Sequence, residues 1–327
     1  MKGFMKAVSG LAIVLALPVL SFAEAKSIYG EDNRLDFFEA PAGQQALSDS
    51  IVSFWKSGKL TEQGDKYKFA TATLGAALNL CATEKFREQN IGAFCSGSLV
   101  GEDLVLTAGH CVKDEAGCAD ARIVFGHKVA KAGRAGITAV AKTEVYSCSK
   151  IVARKLEEGK LGSDYALIKL DRKVSGHKPL PVDRTGVIAK GTGIFVIGHP
   201  TGLPLKVAGG ATVRDSGKPE YFVSDLDTFA GNSGSAVFSA KTSKIVGILV
   251  RGDTDYSDTP AGCQVAATYA QNGGRGEDVT KIAQVSGFIP KLPGEKTEVV
   301  NMEFKPPVMA QDHTYVAPPA IPPNPFR

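Results

Sequence analysis

Residues 231–238 read GNSGSAVF. A serine held between glycines, with an apolar run directly behind it, is either an ordinary loop tip or a turn that presents Ser233 for chemistry. Glycine at 231 and 234 permits backbone angles that a Cβ would forbid, so a tight turn feeding a strand is expected. A serine hydroxyl is a weak nucleophile unless an imidazole takes its proton. The imidazole in turn needs a buried carboxylate to fix its tautomer and stabilise its charged form. The order of those partners along the chain separates the architectures that use them.

Two further segments supply them. In DLVLTAGHC, residues 103–111, a strand pattern ends at His110 and Cys111. In SDYALIKLD, residues 163–171, Asp164 stands just before another strand. Each candidate therefore sits at a strand end, where a sheet holds a side chain within the tolerance that catalysis demands. The backbone N–H groups of Gly231 and Ser233 are candidate donors to a developing oxyanion. An elbow of the Gly-x-Ser-x-Gly type is excluded, because position 235 is Ser and the single histidine after Ser233 is His313 in the tail. An Asp–His–Ser order has no strand-end aspartate ahead of His110. The order is His–Asp–Ser.

The rest of the chain agrees with a sheet protein. Between about residues 69 and 252, roughly ten short apolar or β-branched runs are separated by Gly, Pro and Asp, a pattern of sandwiches and barrels. No strand–helix alternation points to a doubly wound fold. Short helices are expected at Gln44–Trp55 and Glu277–Val285. The ending APPAIPPNPFR reads as an extended, disordered tail.

TAGHC (107–111), DYALIKLD (164–171) and GNSGSAVF (231–238) together resemble the signature blocks of the chymotrypsin-fold serine proteases. The likeness is closer to the bacterial branch that includes the glutamyl endopeptidases, which writes Gly-Asn-Ser-Gly-Ser where trypsin writes Gly-Asp-Ser-Gly-Gly. SIYGEDNR (27–34) also resembles the start of mature proteins in that branch. The resemblance implies an all-β fold of two Greek-key antiparallel barrels with the active site between them. His110 and Asp164 would come from the first barrel and Ser233 from the second, with Gly231 and Ser233 as the oxyanion hole. It implies a Cys95–Cys111 disulfide beside the catalytic histidine. The implied activity is that of a serine endopeptidase; a non-catalytic binding protein of the same fold is the competing class.

In trypsin-like relatives the residue six before the nucleophile forms the base of the primary specificity pocket, and here that is Asp227. With Thr228, Arg251 and Gly252 it makes up the expected substrate-binding set. The strand VGILVRG (246–252) lacks the histidine with which glutamyl endopeptidases help hold an acidic side chain. A preference for Arg or Lys at P1 follows. Arg251, on the same strand, either neutralises Asp227 or points into the pocket and favours acidic P1. Asn232 has no charge for the trypsin-type activation ion pair. Removal of a short propeptide, residues 24–26, would leave Ser27 first, after a cut behind Lys26.

Compartment and partners follow from the remaining features. Lys2 and Lys6, the apolar run Leu11–Leu20 and Ser21-Phe22-Ala23 have the three parts of a secretory signal. The expected division is a signal at 1–23, an N-terminal segment at 24–66, the protease domain at 67–288 and a flexible Pro-rich tail at 289–327. Six cysteines, none in a Cys-x-x-Cys pair, fit disulfides in an extracellular or periplasmic protein. Beyond Cys95–Cys111, the preferred pairing is Cys118–Cys148, which leaves Cys81–Cys263. His127 and His177 are read as solvated loop residues and His199 as structural. Five scattered histidines form no metal-binding cluster, and neither metal nor cofactor is expected. A net charge of +4 without a dense basic run gives no footprint for nucleic acid. Arg251-Gly252-Asp253 matches a cell-adhesion tripeptide, a match short enough to arise by chance. The expected partners are protein or peptide substrates of a monomer that does not insert stably into membranes.

Overall fold

The computed structural model describes residues 27–156 and 161–295. The proposed signal and all of the tail beyond 295 lie outside them. Within the described residues, twelve strands close into two barrels of six. The first contains β1 (Ile51–Lys56), β2 (Cys95–Gly101), β3 (Leu104–Thr107), β4 (Ala121–Val124), β5 (Val145–Leu156) and β6 (Asp164–Leu170). The second contains β7 (Gly193–Gly198), β8 (Lys206–Asp215), β9 (Tyr221–Ser224), β10 (Ala236–Ser239), β11 (Ile245–Arg251) and β12 (Glu277–Lys281). The first closes in the order β1-β4-β5-β6-β3-β2, entirely antiparallel. The second repeats that order as β7-β10-β11-β12-β9-β8. Two Greek-key barrels of one design make up the fold, as the resemblance implied.

Side-chain alternation explains why the strands of the second barrel read as continuous apolar runs. On β7, Ile194 and Val196 pack into that barrel's own core, whereas Phe195 and Ile197 join a larger cluster shared with the first barrel. On β10, Val237 faces the inner core and Ala236 and Phe238 the shared one; on β11, Val246 and Leu249 face the inner core and Ile248 and Val250 the shared one, with a register shift in the β10–β11 pairing at Gly247. Phe195 stacks on Phe238 at 5.0 Å between ring centroids. A strand buried on both faces needs apolar residues at every position. The same apolar layer fixes one barrel against the other, which matters because the candidate residues come from both.

Several expectations need correction. The stretch Gln44–Trp55 is not one helix: a helix occupies Ala42–Ser48, and Ile51–Lys56 is a barrel strand. The run IVSFW is β-branched and aromatic, and pairing with β2 and β4 overrides any helical pattern. The first barrel therefore draws on residues ahead of the boundary expected at 67. Arg34–Asp36 moreover pairs with β8 of the second barrel. Glu277–Val285 is not a helix but β12 followed by a 3-10 turn at Ile282–Gln284. At the other end, residues 289–295 pack rather than trail: Arg184 donates to the carbonyls of Ile289 and Pro290 and to the carboxylate of Glu295.

His127 is buried and stacked on His199 at 5.3 Å, and its pKa lies well below the ordinary value because burial penalises the charged ring. His177 stacks on Phe125 at 4.2 Å and meets Glu144 at 2.8 Å. Neither is a solvated loop histidine. All three disulfides are present as preferred: Cys81–Cys263, Cys95–Cys111 and Cys118–Cys148. Among the described residues, no helix is long and apolar enough to cross a membrane.

Candidate active site

His110 lies in the turn that closes β3, and Asp164 is the first residue of β6, the strand paired with β3. Strand pairing therefore brings the two together across 54 positions. His110 Nδ1 and Asp164 Oδ2 are 2.7 Å apart. Asp164 Oδ1 accepts the backbone amides of Gly109 at 2.6 Å and His110 at 3.2 Å. Asp164 is fully buried. Burial pushes its pKa up, but the His110 hydrogen bond and the charges of His110 and Arg251 outweigh that and hold it below the ordinary carboxylate value. Three donors on a buried carboxylate fix its ionised form.

Ser233 stands at the entry to β10, and strand β2 of the first barrel reaches across to its turn. The Ser96 amide donates to the Ser233 carbonyl at 2.9 Å, and the Ser96 hydroxyl donates to the Gly231 carbonyl at 2.8 Å. The same hydroxyl accepts the His199 amide at 2.8 Å. Ser96 thus joins the first barrel, the Ser233 turn and the 199–203 loop; no sequence motif marked it. The Cys95–Cys111 disulfide reinforces this join, since Cys95 precedes Ser96 and Cys111 follows His110. Cys111 Sγ packs 3.6 Å from the Ser233 carbonyl oxygen. His110, Cys95 and Cys111 form a compact group of potential ligand atoms, but both sulfurs are committed to the disulfide and unavailable to a metal.

The turn needs its glycines. Gly231 has φ +90°, and a Cβ there would lie 2.6 Å from the His199 carbonyl oxygen. Gly234 has φ +88°, and its Cβ would strike the Ser96 carbonyl and the Thr107 hydroxyl, each at 2.2 Å. Asn232 is buried, and its Oδ1 accepts the Ser235 hydroxyl at 3.1 Å, so this position is satisfied without any ion pair.

The expected pocket is assembled differently. Asp227 is buried, with Oδ1 accepting the Tyr29 amide and Oδ2 the Asn33 amide, both at 2.8 Å. Burial pulls its pKa up to about 6, against the opposing pull of those two amides. It is therefore a seat for the N-terminal segment rather than an open pocket base. Thr228 donates its hydroxyl to Glu277 Oε2 at 2.6 Å, and the Tyr29 hydroxyl donates to Oε1 at 3.1 Å. Glu277 lies so close to Gly252 that a Cβ there would come within 2.1 Å of its carboxylate. Arg251 is directed to other partners than Asp227: it donates to Asp278 at 3.1 Å and to the Gly162 carbonyl at 3.0 Å. Asp253 accepts from Thr254, Tyr269 and Arg275, so both charged ends of the adhesion tripeptide are engaged within the fold. Glu277 escaped notice because the acidic run was read as a helix.

Residues 95–248 match the trypsin-like peptidase domain family. Over 157 residues the chain is 26% identical to the glutamyl endopeptidase of Bacillus licheniformis, covering 46% of this chain and 46% of that protein. The chain thus spans about half the length of this curated relative. Among solved structures, the Vibrio cholerae VesB protease matches with a TM-score of 0.48 and 19% identity, over 79% of this chain and 66% of that one. A Glu endopeptidase structure matches with a TM-score of 0.47 and 18% identity, over 80% and 97%. The segment holding His110, Asp164 and Ser233 is thus the part of the chain that is similar to the trypsin-like peptidase domain, and it is carried on two Greek-key barrels.

Proposed function

We propose that this chain is an exported serine endopeptidase that works through His110, Asp164 and Ser233. The observation that carries the reading is the buried Asp164, which receives His110 Nδ1 at 2.7 Å beside the Ser233 turn. With Nδ1 committed to the carboxylate, Nε2 is the nitrogen that exchanges a proton. Ser233 Oγ attacks the peptide carbonyl while His110 takes its proton. The oxyanion forms against the amides of Gly231 and Ser233, and His110 then protonates the leaving amine. Water, activated by the same histidine, releases the acyl group. The three disulfides support a site of action in an oxidising compartment.

For specificity, the sign of the surroundings supports a basic P1 residue. The Glu277 carboxyl group lies against Thr228 and Gly252, and Asp227 is the residue before Thr228. Arg251 and Arg275 both pair with Asp278, which offsets one of their two charges and directs both guanidinium groups to it. Asp227 would act through its field rather than by an ion pair, a weaker form of selection than an open carboxylate gives. A second reading, acidic P1, draws on the name of the Bacillus relative.

Labelling with a fluorophosphonate probe tests the chemistry. Wild type labels, and Ser233→Ala and His110→Ala do not; label retained in Ser233→Ala would sink the assignment. A panel of fluorogenic peptides with Arg, Lys, Glu or Phe at P1 separates the two specificities. Turnover confined to the Glu peptide rejects the basic reading.

A further inference from the structure

Arg251 ends β11 in the second barrel, yet its guanidinium reaches the first. Nε donates to Asp278 Oδ2 on β12 at 3.1 Å, and Nη2 donates to the carbonyl of Gly162 at 3.0 Å. Gly162 lies two residues ahead of Asp164. Asp278 is buried and takes a second guanidinium, that of Arg275, at 2.8 Å. Thr280 on β12 adds a neighbouring tie: its hydroxyl accepts the Asp164 amide at 3.2 Å and donates to the Asp164 carbonyl at 3.0 Å. The approach of the chain to Asp164 is therefore fastened to the second barrel at two successive points.

Stability does not account for the arginine. Buried ion pairs add little net stability, because desolvation offsets most of their attraction. The β11–β12 ladder already pairs position 251 with 278 through the backbone. What the guanidinium adds is a link from a buried anion in one barrel to a single carbonyl in the other. It also stands near enough to Asp164 for its charge to favour the carboxylate form.

We propose that Arg251 is a positioning residue: anchored by Asp278, it holds the Gly162–Asp164 segment so that the Asp164 carboxylate meets His110, and it does not contact substrate. The proposal rests on the triad read above. It also reassigns a side chain that sequence spacing placed in the specificity pocket.

The test uses wild type, Arg251→Met, Arg251→Lys and Asp278→Ala. One readout is kcat and KM on peptides with Arg, Lys, Glu and Phe at P1. The other is the low-field proton resonance of the His110–Asp164 hydrogen bond, which needs no turnover. In Arg251→Met, kcat falls about 10- to 100-fold on every peptide that wild type cleaves, the range expected from a small misplacement of a catalytic group. KM stays within about twofold, and the resonance shifts or broadens. Arg251→Lys, which keeps the charge and a donating group, recovers most of kcat. Asp278→Ala, which removes the anchor but leaves the guanidinium, lowers kcat in the same way and carries the test if Arg251→Met does not fold. A KM effect confined to one P1 class overturns the proposal, as does wild-type kcat with an unmoved resonance in Arg251→Met or Asp278→Ala. Wild type that cleaves no peptide refutes the triad reading instead, and the resonance still decides whether Arg251 governs the Asp164–His110 contact.

Discussion

Asp227 Oδ1 accepts the backbone amide of Tyr29 at 2.8 Å, so the segment that begins the described chain is seated on the carboxylate six residues before Ser233. Oδ2 binds the Asn33 amide equally closely, and residues 28–29 extend the attachment by pairing with 268–269. A buried acid whose folded pKa is raised to about 6 holds its proton more tightly in the native state than in the unfolded chain. Its contribution to stability is fully present below the ordinary carboxylate pKa and is lost as pH rises through about 6. The shift corresponds to about 3 kcal/mol. Urea denaturation of wild type and Asp227→Asn between pH 4 and 7 isolates the effect, since Asn does not titrate. Wild-type stability relative to the variant should decline across that window by up to the same amount, and a constant difference rejects the assignment.

Asp164→Asn should leave the fold intact and cut kcat by about 10⁴-fold, because an amide group facing Nδ1 stabilises the wrong tautomer of His110. The two backbone donors, Gly109 and His110, can still meet the remaining carbonyl oxygen. Turnover on the best peptide substrate, with circular dichroism as the control for folding, checks this. A loss below tenfold would show that Asp164 does not orient the base.

The proposed triad was legible because its three residues sit in local motifs: a strand, a turn and an apolar run, each within about ten residues. The barrel strands that were read correctly share this property. What escaped reading depends on partners far along the chain. EDVTK at 277–281 looks unsuited to a buried strand until Tyr29 and Thr228 are found on Glu277, and Arg251 and Arg275 on Asp278. IVSFW at 51–55 was absorbed into a helix because its pairing strands begin at residues 95 and 121. Asp227 was placed by counting back from Ser233, and counting could not reveal that amides at 29 and 33 would occupy it. Buried polar groups take their meaning from non-local partners, whereas apolar periodicity is local.

Ser96→Ala tests a join that no motif announced. The substitution removes the donor to the Gly231 carbonyl and leaves the buried His199 amide without its acceptor. Stranding such a group costs about 1–3 kcal/mol, which urea denaturation would register. The Gly231 peptide also loses the contact that fixes its tilt, so kcat should fall several-fold while KM changes little. Ser96→Thr keeps the hydroxyl and should restore both if the added methyl is accommodated. Unaltered stability in Ser96→Ala would mean that water replaces the hydroxyl without loss.

The disulfides should divide their effects between stability and turnover. Cys81–Cys263 spans 182 residues, and Cys95–Cys111 spans 16. In the chain-entropy account a cross-link stabilises by restricting the unfolded chain, and the longer loop gains about 2 kcal/mol over the shorter. The short bridge, however, ties the residue beside His110 to the residue beside Ser96, while the long bridge joins residues that adjoin none of these in sequence. Replacing Cys81 and Cys263 by serine should therefore lower the urea midpoint more than replacing Cys95 and Cys111. The ranking of kcat should be the reverse, with the Cys95/Cys111 variant losing more because the His110 turn is no longer held against the Ser233 turn. Both variants can be compared at a temperature where each remains folded by circular dichroism. If the Cys81/Cys263 variant loses more turnover than the other under those conditions, the short bridge does not position the site.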